Sequence, residues 1–93
     1  MAVLVRIPLA LQKFTKHQSE VHVEGVTVHE VLDDLERHCP GMREQLRDGR
    51  GAIRKFINLY LNNEDIRFLE GEKTAVQAGD ELAIIPAVAG GHW

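Results

Sequence analysis

Val3, Val5 and Ile7 alternate with Ala2, Leu4 and Arg6. This period of two predicts an opening strand, closed by Pro8, which cannot extend a ladder. A second alternation runs from Glu20 to Glu24, with Val21 and Val23 facing inward and His22 outward. The connector from Leu9 to Ser19 is too long for a tight hairpin. The period then lengthens. Val28, Val31, Leu32 and Leu35 fall at i, i+3, i+4 and i+7, giving one apolar stripe on a helix. Thr27 suits the N-cap, Glu30 completes a capping box, and Val26 and Val31 occupy the staple positions. Pro40-Gly41 stops the helix near His38, and Met42 to Leu46 predicts a short second turn.

Alternation resumes at Phe56 to Asn62, with Ile57, Leu59 and Leu61 directed at the helix. Asn62-Asn63-Glu64-Asp65 reads as a turn, Ile66 to Leu69 as a short strand, and Ala78-Gly79-Asp80 as another turn. Glu81 to Ile85 is the last strand, with Leu82 and Ile84 inward. The order is β-β-α-β-β-β with one long helix. Covering one face of a mixed sheet with that helix is the economical way to bury a core in so short a chain. The expected fold is α+β, a β-grasp or ubiquitin-like arrangement of four to five strands on one main helix. Residues 1–86 form its body and residues 87–93 a flexible C-terminal tail.

Ninety-three residues hold one small core and leave little room for a walled active site, which points to a carrier or binding module rather than an enzyme. A formal charge of −3 argues against a nucleic-acid partner, which needs clustered Lys and Arg. The densest basic stretch, Arg47 to Lys55, lacks interleaved aromatics and reads as a solvated loop. The single cysteine, Cys39, fits a reducing compartment. Met1 to Ile7 lacks the layout of a signal peptide, and no apolar run reaches the ~20 residues of a membrane span. The expectation is a cytoplasmic protein with no membrane partner.

The informative segment runs from Gly79-Asp80 through Glu81 to Ile85, then Pro86-Ala87-Val88-Ala89-Gly90-Gly91. It resembles the end of the thiamine- and molybdopterin-type sulfur carrier family. Phe56 to Gly91, with Leu61-Asn62-Asn63-Glu64-Asp65-Ile66-Arg67-Phe68 inside it, is most similar to that family's cysteine-biosynthesis carriers, and the likeness covers essentially the whole chain. A physical argument runs beside the resemblance. A carboxylate is a poor electrophile and needs a good leaving group before sulfur can be loaded on it. Glycines permit close backbone approach, so Gly90-Gly91 suit a narrow channel in a partner enzyme, with Ala89 behind them.

The resemblance implies adenylation of the Gly91 carboxylate by an E1-like adenylating and sulfurtransferase enzyme that uses ATP, with no cofactor bound by the chain itself. A Gly91 thiocarboxylate then donates sulfur, for cysteine or a related thiol amino acid through a PLP-dependent sulfhydrylase. Alternative acceptors are a siderophore-type thioacid metabolite or molybdopterin. A third reading is a ubiquitin-like modifier joined to lysines through Gly91. The departure from the common family ending is His92-Trp93 after the glycines. An indole at the reactive end conflicts with the channel argument. The expectation is therefore that His92 and Trp93 are removed, the resemblance implying a zinc-dependent JAMM-type peptidase.

Other candidates have plainer explanations. His38-Cys39 are adjacent at a helix end with no orienting acid, and Cys39 is expected to be half-buried there. His17, His22, His29, His38 and His92 show no metal-ligand spacing, so no metal site is expected. Asp33, Asp34 and Glu36 read as a solvated helix face, and Gly49-Arg50-Gly51 as a loop without the Lys-Ser/Thr of a phosphate cradle. Leu4, Phe56, Tyr60 and Ile85 are expected on the outer sheet face. Unless the loop at Arg50–Lys55 or the connector at Leu9–Ser19 covers them, four large apolar groups there predict a docking surface for the activating enzyme.

Overall fold

The computed structural model describes residues 2–86. Its strands are β1 (Ala2–Arg6), β2 (Glu20–Glu24), β3 (Ile57–Leu61), β4 (Glu64–Asp65) and β5 (Glu81–Pro86). Its helices are α1 (Val28–His38) and α2 (Met42–Leu46). The strands form one sheet in the order β2-β1-β5-β3-β4. β1 and β5 run parallel, while the β1–β2, β3–β5 and β3–β4 pairs are antiparallel. A mixed sheet carrying one main helix is the β-grasp fold.

The helix begins where its cap dictates. Thr27 Oγ1 accepts from the Glu30 N–H at 3.2 Å, and Glu30 Oε1 reaches back to accept from the Val26 N–H at 3.1 Å. Two otherwise orphaned donors are thereby satisfied. The staple is not closed: Val31 is fully buried but Val26 stays exposed. Val26 is held instead by its backbone carbonyl, which accepts from the Val76 N–H at 3.1 Å. Val28, Val31, Leu32 and Leu35 are all buried against the inward residues Val3, Val5, Val23, Leu59, Leu82 and Ile84. α2 adds Met42 and Leu46 to the same core.

The Leu9–Ser19 connector holds a 3-10 turn at Leu9–Phe14, which buries Leu11. Asn62 and Asn63 form a two-residue hairpin loop, with φ of 50° and 71°. This is the doubly left-handed backbone of a type I′ turn, which asparagine tolerates. Leu61 consequently faces Glu64 directly.

Three expectations are corrected. The strand expected over Ile66–Leu69 is a 3-10 turn at Ile66–Phe68, and the pairing falls two residues earlier, at Glu64–Asp65, within the segment read as a turn. Asp65 causes the break, because its Oδ1 accepts from the Arg67 N–H at 2.9 Å and bends the chain out of the ladder. Arg47 does not belong to a solvated loop; its side chain is only 3 % exposed. Glu36 is likewise off the solvated face, since it turns inward at 7 % exposure to meet Arg47 at 2.8 Å.

Candidate functional site: the end of β5 and the outer sheet face

β5 is the central strand, and residues 87–93 follow it in the chain. Its start is fixed by a built turn. Gly79 takes φ +89°, a conformation open to residues without a Cβ, and donates its N–H to the Ala2 carbonyl at 3.1 Å. Asp80 Oδ2 accepts from the Gln77 N–H at 2.8 Å, and Asp80 Oδ1 accepts from Asn62 Nδ2 at 3.2 Å. Asn62 Oδ1 in turn accepts from the Glu81 N–H at 3.0 Å. β5 therefore enters clamped between two turns and then pairs with β1 on one side and β3 on the other. Its inward residues Leu82 and Ile84 are buried. The strand ends at Pro86, opposite Ile57. The sequence-predicted residues Ala89, Gly90, Gly91, His92 and Trp93 lie outside the described residues.

Of the outer-face residues, Leu4 and Tyr60 are half-buried, while Phe56 and Ile85 are 42 % and 44 % exposed. Tyr60 faces Ala83 across the β3–β5 ladder and Ile85 faces Asn58. Phe56 lies one residue before β3 and so sits at the sheet end where β5 terminates. Leu4 and Ile85 lie far apart along the sheet, with Tyr60 at a level between them. Leu4 pairs with Glu81, four residues and so about 13 Å along the strand from Ile85. A polar group lies beside it: Arg6 Nε donates to Glu81 Oε1 at 2.6 Å and Arg6 Nη1 stands 3.4 Å from Glu20. The hydrogen bond and charge of Glu81 hold the Arg6 guanidinium above its ordinary pKa. The two most exposed members, Phe56 and Ile85, thus lie toward the sheet end where β5 terminates, with the ion-paired region around Leu4 behind them.

One residue there is absent from the sequence reading. Leu9 follows β1 and is 84 % exposed. Because β1 and β5 are parallel, the chain leaving β1 does so at the same sheet end as Pro86. The usable signal was its position directly after Pro8, in a segment whose inward residue is Leu11. At the other margin, Asp65 and Arg67 pair at 2.7 Å. The hydrogen bonds from the Arg67 side chain and N–H hold the Asp65 carboxyl below its usual range.

The remaining candidates are structural. Cys39 is buried, more fully than the half-burial expected, and belongs to the same core cluster as Met42 and Leu46 of α2. That burial pushes the thiol up. His38 Nδ1 contacts the Asp34 carbonyl at 2.8 Å, so the two residues form no dyad. Among the described residues no group of His, Cys, Asp and Glu is arranged to hold a metal. No helix among them is long and apolar enough to cross a membrane.

The family model described as the ThiS family matches residues 5–91, from the middle of β1 to Gly91. The chain belongs to the ThiS family. Among its relatives, the sulfur carrier protein CysO of Mycobacterium tuberculosis is 43 % identical over 93 residues, covering 98 % of this chain and all of that one. The CysO chain in the crystal structure of the Amycolatopsis orientalis BexX/CysO complex superposes with a TM-score of 0.89. It has 42 % identity and covers 97 % of this chain and 100 % of that one. Small archaeal modifier protein 1 of Haloferax volcanii is 39 % identical over 72 residues, covering 76 % of this chain and 78 % of its own. This ThiS-family chain is a sulfur carrier of the CysO kind, a ubiquitin-like carrier rather than an enzyme.

Proposed function

We propose that residues 87–93 form a tail distinct from the body and that the Gly91 carboxylate is the site of sulfur loading, for cysteine or a related thiol amino acid. The observation that carries this reading is the family match, which runs through Gly91 and leaves only His92-Trp93 beyond it. Removal of that pair by a JAMM-type zinc peptidase frees the Gly91 carboxylate. One carboxylate oxygen then attacks the α-phosphorus of ATP in an E1-like partner, and pyrophosphate leaves. A sulfur nucleophile at the hydrosulfide level attacks the acyl carbon and expels AMP, leaving the thiocarboxylate. A PLP-dependent sulfhydrylase is the acceptor enzyme in this reading. The chain itself needs no bound cofactor, since ATP is consumed by the partner. Gly90 and Ala89 contribute by what they lack, since small side chains let the backbone pass a narrow channel. Leu4, Phe56, Tyr60 and Ile85 are proposed to dock the activating enzyme, with Phe56 and Ile85 contributing most because they are the most exposed of the four and flank the tail root.

Intact mass spectrometry of protein recovered from its native cell tests the reading. The expected species ends at Gly91, with a loaded form about 16 Da heavier, from exchange of one oxygen for sulfur. Recovery of only the Trp93-terminated chain from cells that carry out the sulfur transfer overturns it. A second reading, a modifier attached to proteins through Gly91, is favoured by the likeness to small archaeal modifier protein 1. High-mass conjugates carrying Gly-Gly remnants on lysine would distinguish it from carriage.

A further inference from the structure

β3 pairs along its whole length with β5, but on its other side only with the two residues of β4. The Asn62 N–H donates to the Glu81 carbonyl at 2.8 Å. Direct hydrogen bonding alternates along an antiparallel ladder, so Asn58, Tyr60 and Asn62 turn their backbone groups to β5. Those of Ile57, Leu59 and Leu61 face the other way. Leu61 closes the hairpin with Glu64, and Ile66 would be the next residue to pair, with Leu59. The turn that Asp65 makes with the Arg67 N–H carries Ile66 into the 3-10 segment instead. The Ile57 N–H is taken by the Arg54 carbonyl at 3.0 Å. The Leu59 N–H and C=O and the Ile57 C=O are therefore left without a backbone partner among the described residues. Both residues line a groove of about 290 Å³, bounded by Ile53, Arg54 and Lys55 before β3 and by Ile66, Arg67 and Glu72 after β4.

Shape and charge decide what fits. An open sheet edge accepts another strand, but a second copy cannot pair β3 to β3, since each edge is recessed between the same two segments. A single extended segment can enter. Running antiparallel, one of its residues exchanges two hydrogen bonds with Leu59, and the residue two further on donates to the Ile57 carbonyl. Those two residues share a sheet face, and the groove offers Ile53, Ile57 and Ile66 to apolar side chains. The charged lining is Arg54, Lys55 and Arg67 against Asp65 and Glu72. Both carboxylates are engaged, Asp65 by Arg67 at 2.7 Å and Glu72 by Arg47 and His29 at 3.1 Å each. Arg54 Nε donates to the Glu44 carbonyl at 2.9 Å, and its charge acts on Asp48. Lys55 is exposed, and its ammonium has no ion pair or hydrogen bond among the described residues. The uncompensated charge is positive. We propose that this groove receives an extended segment of a partner protein by strand addition to Leu59, with apolar side chains beside Ile57 and Ile66 and a carboxylate on Lys55. The site goes beyond the sulfur-carrier reading, because it uses the edge of β3 that faces away from β5.

The test uses the full chain, uniformly 15N-labelled, and the capped peptide acetyl-TVTVEET-amide as probe. Without peptide, the Leu59 amide should exchange at least about tenfold faster than those of Tyr60 and Leu61, whose ladder partners are Ala83 and Glu64. Saturable binding should then slow Leu59 exchange by roughly tenfold or more, since an edge amide becomes a ladder amide. The counterpart acetyl-TVTVKKT-amide is expected to bind at least about fivefold more weakly, because its contact with Lys55 becomes repulsive. Lys55→Glu, at an exposed position without an ion pair, should invert that preference and keep the melting temperature near wild type. A Leu59 amide as protected as Tyr60 before peptide is added, failure of the acidic peptide to bind, or an unchanged preference in the Lys55→Glu chain each overturns the proposal. None of these outcomes depends on whether Gly91 carries sulfur.

Discussion

Arg47 and Glu36 form an ion pair at 2.8 Å, with side chains 3 % and 7 % exposed, beneath the C-terminal half of α1. Arg47 Nη1 also donates to Glu72 at 3.1 Å and to the Gly51 carbonyl at 2.9 Å. Among the described residues its Nη2 has no hydrogen bond, and Asp33 stands 3.7 Å away. Burial pulls the guanidinium pKa down, but Glu36 and Glu72 outweigh it and the net direction is upward. One cation therefore ties α1, the loop after α2 and the Gly71–Lys73 turn together.

Glu36→Ala leaves a buried cation with its best partner gone. Breaking a buried pair from one side costs about 3–5 kcal/mol, and Glu72 retains part of the compensation here. The expected loss is roughly 3 kcal/mol, read as a lower urea midpoint at unchanged slope. Arg47→Met together with Glu36→Leu should cost far less than Glu36→Ala, because paired apolar replacement strands no charge. A double variant as unstable as the single one would show that the pair is not the source of the loss.

Acid stability has an identifiable contributor. The hydrogen bonds from Arg67 hold the Asp65 carboxyl below its ordinary value. Asp48 is held down by the N–H groups of Arg50 and Ala52. A carboxylate whose pKa is lower when folded contributes stability above its unfolded pKa and loses it as pH falls through the folded one. Asp65→Asn should thus leave a shallower loss of stability below about pH 4, with the largest difference from wild type at neutral pH. Equilibrium unfolding between neutral pH and the acid limb measures this, and identical slopes for both proteins would refute it.

Much of the fold was legible because local signals agreed with the tertiary result. The Thr27–Glu30 cap, the stripe through Val28, Val31, Leu32 and Leu35, and the inward set Ile57, Leu59, Leu61 are all present as read. The errors came where a side chain far away in sequence decided the outcome. Arg47 looks like a loop cation until Glu36 and Glu72, eleven and twenty-five residues away, converge on it. Ile66 has a strand-like side chain and is buried, but the Asp65–Arg67 contact takes its backbone out of the sheet. The outer face was legible from parity alone. The exposure of Leu9 was not, since it depends on how the connector turns after Pro8.

Gly25 approaches the first turn of α1 closely. A Cβ built there would lie 2.7 Å from the Val31 nitrogen and 2.9 Å from the Glu30 carbonyl carbon. Both contacts are with helix backbone, which cannot swing aside as a side chain would. Gly25→Ala should destabilise by about 1–3 kcal/mol, with the helix entry shifting to relieve the contact. Amide exchange of Glu30 and Val31 in the variant reports that shift, and wild-type protection at both positions would count against it.

Under the proposed function, Tyr60 and Ile85 would allow docking to be tested separately from loading. Neither supplies core packing comparable to Leu59 or Ile84, which are 3 % exposed, so truncating both should leave the fold intact. Hot-spot truncations cost on the order of 2 kcal/mol or more when the side chain is desolvated in a complex. If the activating enzyme covers this face, Tyr60→Ala with Ile85→Ala should weaken its binding by at least about tenfold. The tail is untouched in that variant, so loading at saturating enzyme should still proceed. Leu4→Ala should have less effect, because Leu4 is about 13 Å along the sheet from Ile85 and beside the Arg6–Glu81 pair. Titration calorimetry with a chain ending at Gly91 compares both variants with wild type. Unchanged affinity of the double variant would place the enzyme's contact elsewhere, and loss of loading at saturation would mean the face acts in more than docking.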